Sequence, residues 1–386
     1  MVKHLLVTND FPPKVGGIQN YLYELWRRLD PQSFVVITTP HPNADAFDVQ
    51  QDFEIIRLPH KVFMPTSSLA RKIREIAEEQ NASFVVWDPA LPVGMLAPKV
   101  GIQYGVILHG AELTVPARLP VLSGWIVKVL SQARFIIAAG QYPRGELERL
   151  FARANKDLPE VFEIPPGVDP VRFQPLGSEV RKKYRKSIGI SDDEFLVSSV
   201  SRLVPRKGMD SLIGAVSLLQ DAHPELKVVI AGAGRDERRL WRLIRRRHAS
   251  VQLFGRVAED ELPYLLGASD AFAVLCRSRW VGLEQEGFGI VFLEASSCGV
   301  PVIAGYSGGS TEAVTHEQTG FVVYQPKSPR KTAEAISMLI SNGQLREQMG
   351  ANGRRRALDD FSYNHLSEKL SKCLASINWE RTDSNS

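Results

Sequence analysis

Two carboxylates eight positions apart, Glu286 and Glu294, bracket a Gly-Phe-Gly turn in the run Glu286-Gly-Phe-Gly-Ile-Val-Phe-Leu-Glu294. Glycines at 287 and 289 let the chain turn tightly and leave free N–H groups at a helix start. The apolar residues from Ile290 onward predict a largely buried helix, with Ile290 and Glu294 four apart on one face. A carboxylate carried on such a helix needs a partner, because an unpaired buried charge is costly. At a rise of ~1.5 Å per residue, helix and turn separate the two carboxylates by roughly 12 Å. That is the span of a sugar–diphosphate–ribose unit. The competing reading is a loop glutamate plus a hydrogen-bonded structural one.

A diphosphate needs cations, and the run Ser201-Arg-Leu-Val-Pro-Arg-Lys-Gly208 has them. Arg202 and Lys207 lie five apart around Pro205, before a helix expected from Met209, with Arg as a fork and Lys as a point charge. Arg206 is a third contact or faces solvent, and the whole stretch is otherwise a solvated basic turn. Near the N-terminus, Asn9-Asp-Phe-Pro-Pro-Lys-Val-Gly-Gly-Ile-Gln19 places Gly16 and Gly17 at a helix start, where N–H groups and the macrodipole favour an anion. G-x-G-x-x-G is absent there, so this is no dinucleotide fingerprint, and the glycines otherwise only begin a helix. His109 ends an apolar strand, either facing a cleft or structural. Phe254-Gly-Arg-Val257 ends another strand, where backbone can meet a nucleobase, and Gly232-Ala-Gly-Arg-Asp-Glu237 is a strand-to-helix turn. No two aspartates stand two apart, so an Asp-x-Asp metal motif is missing. A diphosphate bound there would be met by Arg202, Lys207 and helix-start N–H groups in place of a metal.

The elements that hold these loops alternate regularly. Apolar runs of strand length occur at His4–Thr8, Phe34–Thr39, Phe53–Leu58, Phe84–Asp88, Gly105–His109, Phe135–Ala139 and Val161–Ile164. After a polar, basic stretch they resume at Phe195–Val200, Leu226–Ala231, Val251–Phe254, Ala271–Leu275, Val300–Ala304 and Phe321–Val323. Continuous apolar strands with helices between them indicate parallel sheets covered on both faces. The chain of 386 residues therefore divides into a first Rossmann-like domain (1–170), a linker (171–194), a second Rossmann-like domain (195–361) and a C-terminal helix with a frayed tail (362–386). Two such doubly wound α/β halves face each other across a cleft at the C-terminal ends of their strands. Closure of one half on the other is expected during turnover.

Composition excludes several classes. A net charge of +4, from 47 basic and 43 acidic residues, does not imply nucleic acid. Three dispersed cysteines, Cys276, Cys298 and Cys373, read as reduced cytosolic thiols. The N-terminus reads as a strand, not a signal peptide, and no apolar run spans a membrane, so any membrane role is peripheral. Arginines 235, 238, 239, 242, 245, 246 and 247 crowd one helix, read as a solvated face with an anionic lipid or acidic partner as the alternative. Leu119–Leu130, fringed by Arg118, Lys128 and Arg134, is either a core-facing helix or one lying in a membrane interface, where Trp125 and basic residues are favoured.

Taken together, Glu286–Glu294, the Arg202/Lys207 pair, the Gly16-Gly17 loop and Cys298-Gly-Val-Pro-Val-Ile-Ala-Gly resemble the retaining family-4 glycosyltransferases of the GT-B fold. The resemblance covers nearly the whole chain. It is strongest, through 7–19, 201–208 and 287–295, to the actinobacterial branch that mannosylates phosphatidylinositol mannosides. It implies GDP-mannose as donor, a lipid-linked inositol mannoside as acceptor, and addition of a second mannose in α-1,6 linkage, with no cofactor. It also implies a cytoplasmic enzyme peripherally associated with the inner face of the cell membrane, contacting anionic lipid. Arg202 and Lys207 would bind the diphosphate, the Gly17 region the distal phosphate, Glu286 the mannose hydroxyls and Glu294 the ribose diol. Val257 and Ile290 would line the nucleoside pocket. His109 would sit by the transferred mannose, and Asp10 on the acceptor side. The segment Arg277–Gln285 departs from the glycine-rich loop frequent at this place. Another donor or acceptor within the family, or a non-catalytic sugar-nucleotide binder, are the alternatives; a nicotinamide dehydrogenase lacks its glycine fingerprint in both halves.

Overall fold

A computed structural model describes residues 3–114, 120–280 and 282–377. The chain forms two compact units. The first runs to Pro166 and takes the chain back from Tyr363, and the second is Gly167–Ser362. The helix Tyr363–Ser376, expected as a separate tail, thus packs on the first unit. It places Leu366, Leu370 and Leu374 in one core with Leu6, Val36 and Val86.

The first unit is built on seven parallel strands: β1 (His4–Thr8), β2 (Phe34–Thr38), β3 (Glu54–Arg57), β4 (Phe84–Asp88), β5 (Tyr104–Leu108), β6 (Phe135–Ala138) and β7 (Glu160–Glu163), in the order β3-β2-β1-β4-β5-β6-β7. Side chains alternate between the faces. Leu5 and Val7 join one core while Leu6 joins the other, which is why the central strands read as unbroken apolar runs.

The second unit repeats the plan with β8 (Phe195–Val200), β9 (Leu226–Ala231), β10 (Val251–Gly255), β11 (Ala271–Val274), β12 (Val302–Gly305) and β13 (Gly320–Val323), ordered β10-β9-β8-β11-β12-β13. Every apolar run expected as a strand forms one, with ends shifted by a residue or two. The stretch expected as a linker differs. It contains the helix Ser178–Ser187 inside the second unit, pinned by the fully buried Arg185, whose Nη1 donates to Asp270 Oδ2 at 3.0 Å.

In both sheets the strand order reverses beside the first strand, at β1/β4 and at β8/β11. Loops leaving the C-terminal ends of diverging strands cannot cover that point, so it opens as a crevice.

Candidate active site

At the β8/β11 switch the loop after β8 brings up Arg206 and Lys207, and the segment after β11 brings Cys276 and Glu286. Gly208 makes the approach possible. Its φ is +69°, and a Cβ there would lie 2.0 Å from the carbonyl oxygen of Leu275. Lys207 Nζ donates to Glu286 Oε2 at 2.6 Å, Arg206 Nη1 donates to the same oxygen at 2.7 Å, and Cys276 Sγ donates to it at 3.2 Å. Oε1 has no hydrogen-bond partner among the described residues. Burial pushes the Glu286 carboxyl up, but Lys207 and Arg206 outweigh it and hold the group at about 2. Burial and the neighbouring carboxylate push the Cys276 thiol well above its ordinary range, so it stays protonated and donates.

A second layer fixes the glutamate's backbone. Its N–H donates to Ser307 Oγ at 3.2 Å, and its carbonyl accepts from Gly309 N at 3.0 Å. Gly308, at φ +50°, is required because a Cβ would sit 2.2 Å from that carbonyl. Arg277 locks the loops together: its N–H donates to the Arg206 carbonyl at 2.8 Å, and its guanidinium to Asp210 at 2.9 Å.

Glu294 stands in contrast. It lies half-buried on the helix Ile290–Ser297, and its carboxylate has no hydrogen-bond partner among the described residues. Burial is the main reason its carboxyl is pushed up to about 7, with Arg172 opposing and Glu259 reinforcing the rise. Ile290, one turn earlier, and Val257, after β10, are both half-buried. Arg202 is exposed and pairs with no carboxylate among the described residues. Of the expected diphosphate pair, Lys207 is buried and ion-paired with Glu286, while Arg202 is exposed and free to meet an anion.

The first unit has its own cluster at the β1/β4 switch. Asp88, fully buried at the end of β4, accepts from Thr8 Oγ1 at 2.8 Å. Its other oxygen lies 2.5 Å from Nε2 of His109, the residue after β5. Burial disfavours the imidazolium, but Asp88 more than offsets this, and the His109 pKa is raised. Nε2 is thereby committed to Asp88. Asp10, after β1, accepts from Gln19 Nε2 at 2.6 Å, and burial followed by the charge of Asp88 raises its pKa. Gly16 and Gly17 are exposed where the helix Gly17–Trp26 begins.

The helix Pro120–Ser131 buries Ile126, Val129 and Leu130 and exposes Leu122 and Trp125, with Lys128 Nζ 5.7 Å from the Trp125 ring centroid. Leu119 and Arg118 lie outside the described residues. No helix among the described residues is long and apolar enough to cross a membrane.

Residues 180–356 match the family model "Glycosyl transferases group 1". A Corynebacterium glutamicum protein named GDP-mannose-dependent monoacylated alpha-(1-6)-phosphatidylinositol monomannoside mannosyltransferase is 37% identical over 97% of this chain and 98% of its own length. A Mycobacterium tuberculosis protein named GDP-mannose-dependent alpha-(1-6)-phosphatidylinositol monomannoside mannosyltransferase is 35% identical, with the same coverage of both chains. The chain belongs to the group 1 glycosyltransferases. Its fold is that of the GT-B enzymes. Anabaena HepE in complex with UDP aligns with a TM-score of 0.81 at 22% identity, covering 97% of this chain and 100% of that one. Sucrose-phosphate synthase from Thermosynechococcus elongatus aligns at 0.76 and 20% identity, covering 97% and 98%.

Several residues of this glycosyltransferase's clusters escaped sequence reasoning. Asp88 carried one signal, an acid closing an otherwise apolar strand. Ser307, in Ser307-Gly-Gly-Ser310, follows a strand as the other loops do. Cys276 and Asp210 carried none, because each matters only through a partner more than nine positions away: Glu286 for Cys276 and Arg277 for Asp210.

Proposed function

We propose that this glycosyltransferase moves mannose from GDP-mannose to a phosphatidylinositol monomannoside, adding the second mannose in α-1,6 linkage with retention of configuration. The observation that carries this reading is identity of 35–37% over 97% of the chain to relatives bearing that name. Glu286 Oε1, the oxygen left over by Lys207, Arg206 and Cys276, hydrogen-bonds mannose hydroxyls. Arg202 and Lys207 take the diphosphate, assisted by N–H groups near Gly16 and Gly17. Glu294 accepts from the ribose diol, and Val257 and Ile290 line the nucleoside pocket. His109, oriented by Asp88, and Asp10 serve the transferred mannose and the acceptor.

In the reaction the bond between the mannose anomeric carbon and the distal phosphate oxygen breaks as the acceptor hydroxyl oxygen bonds to the same carbon. The acceptor proton passes to the departing phosphate. Positive charge at Arg202 and Lys207 stabilises GDP as it leaves, so the reaction runs without a metal and survives a chelator. The helix Pro120–Ser131, with Trp125 and Lys128 outward, lies against the inner face of the membrane where the lipid acceptor is found.

The test is incubation with labelled GDP-mannose, UDP-glucose or UDP-N-acetylglucosamine and detergent-dispersed phosphatidylinositol monomannoside, with and without EDTA. Labelled dimannoside is expected from GDP-mannose alone, at equal rates in both buffers. Transfer from a UDP-sugar but not from GDP-mannose would overturn the donor assignment.

A further inference from the structure

The helix Glu237–Arg247 joins β9 to β10, the edge strand of the second sheet. It packs inward through Leu240 and Ile244. At 100° per residue, Arg238, Arg242, Arg245 and Arg246 then point away from the core, and Trp241 borders the same arc. All are exposed, with Trp241 at 44%, and so is Arg235 in the preceding turn. None of these five arginines forms an ion pair with a carboxylate among the described residues. Arg239, beside the arc, behaves differently: Asp236 and Asp210 hold it.

Like charges crowded without counter-charges repel one another and destabilise the element that carries them. The fold neutralises Arg239 and leaves the outward set open. Arginine on phosphate is bidentate, and tryptophan favours the boundary between headgroup and acyl chain. A face with five open guanidinium groups flanked by one exposed indole matches an anionic phospholipid surface. Its apolar side is already packed on the sheet, so the helix can rest on headgroups but cannot sink into the acyl region.

We propose that the face made by Arg235, Arg238, Trp241, Arg242, Arg245 and Arg246 is a docking surface for anionic phospholipid. The choice of lipid over other polyanions rests on the lipid-acceptor reading above. The binding itself is measured without donor or acceptor, so it stands or falls apart from that reading.

The experiment sediments the full chain with phosphatidylcholine vesicles containing or lacking phosphatidylinositol as the anionic component. The comparison proteins are R238E/R242E/R245E and W241A. The wild type is expected to bind only the anionic vesicles and to be released by salt that shortens the Debye length to about 3 Å. Each cation near such a surface is worth about fivefold in partitioning, so the triple variant is expected to lose at least ~10-fold. W241A is expected to bind more weakly, and wild-type Trp fluorescence to shift to the blue on binding. Unchanged GDP affinity and circular dichroism establish that the triple variant is folded. If the variant does not fold, R238Q/R242Q takes its place. Equal sedimentation of wild type and folded variants overturns the proposal. So does wild type that prefers duplex nucleic acid to anionic vesicles at the same salt.

Discussion

Glu286 and Glu294 are the same residue type, eight positions apart, on either side of one turn and helix start, yet their surroundings drive them in opposite directions. Glu286 is enclosed by Lys207, Arg206 and Cys276 and is held near 2. Glu294 sits among apolar neighbours on the helix and is pushed up to about 7. Desolvation acts on both. The difference is whether cations arrive from another part of the chain. A carboxylate locked by two cations keeps its charge and its orientation at any physiological pH. One left without a side-chain partner is pushed up to about 7 and stands open to the proposed ribose hydroxyl. The first suits a fixed contact to the sugar and the second an adaptable contact to the ribose.

The comparison is broken most severely by Lys207→Ala. This removes a cation proposed to act on the leaving diphosphate and leaves Glu286 with Arg206 alone. The expected loss is at least ~10-fold in kcat, because a charge-assisted contact is worth roughly 1.5–3 kcal/mol. Stability falls by about 2 kcal/mol, less than for a buried pair broken outright, since Arg206 remains. Steady-state kinetics and urea unfolding measure the two. Lys207→Ala/Glu286→Gln is expected to recover the stability but not the rate. Recovery of both would show that Lys207 serves only the fold.

Exchanging the two glutamates' roles comes next. Glu286→Gln is expected to slow transfer about tenfold while leaving GDP affinity nearly intact. Glu294→Gln is expected to weaken GDP about tenfold with a smaller effect on kcat, a hydrogen bond to a charged group being worth roughly 1.5–3 kcal/mol. Calorimetric titration with GDP beside kcat measurement distinguishes them. Identical behaviour of the two variants would erase the distinction.

pH sharpens the contrast through its sign. The folded pKa of Glu286 lies below the ordinary carboxyl value of 4.5. Its contribution to stability is therefore complete above that value and is lost as pH falls toward 2. The folded pKa of Glu294 lies above 4.5, so the native state binds the extra proton and stability declines as pH rises from there through 7. At pH 8 Glu294→Gln is expected to raise the melting temperature and Glu286→Gln to lower it, while at pH 5 the Glu294→Gln gain shrinks. Wild-type GDP affinity is expected to rise with pH through about 7, and Glu294→Gln to abolish that slope. A slope retained in the variant would assign it to another group.

The smallest effect belongs to Cys276. Its thiol is the weakest of the three donors on Glu286 Oε2. Cys276→Ala is expected to lower kcat about threefold, with GDP affinity unchanged, and Cys276→Ser to restore most of it, in line with a net hydrogen bond of about 0.5–1.5 kcal/mol. Equal rates in Ala and Ser variants would leave packing as its sole contribution.

Much of this molecule was legible before its structure. Strands such as Leu226–Ala231 announce themselves because a parallel strand covered on both faces has no polar side to show. Lys207 and His109 could be picked out as candidates because each follows a strand, and Glu286 because it precedes a glycine-flanked helix start. The partners were not. Asp88 and His109 meet because β4 and β5 are neighbours in the sheet, though 21 positions separate the two residues. Cys276 and Lys207 meet because β11 lies beside β8. Glu294 finds no side-chain partner among the described residues, since burial says that a charge needs compensation but not where it comes from.

The sequence by itself therefore determined the local matters: which segments form strands and helices, where glycine must stand, and which residue types reach the loops at the strand ends. These depend on periodicity and on backbone sterics, both properties of short stretches. Only the tertiary structure decided which of two equivalent glutamates stays charged, which oxygen of Glu286 is left over, which arginine is neutralised and which stands open. Those outcomes depend on Coulomb and desolvation terms that vary steeply with distance. The distances are set by strand order, which no local stretch of the chain encodes.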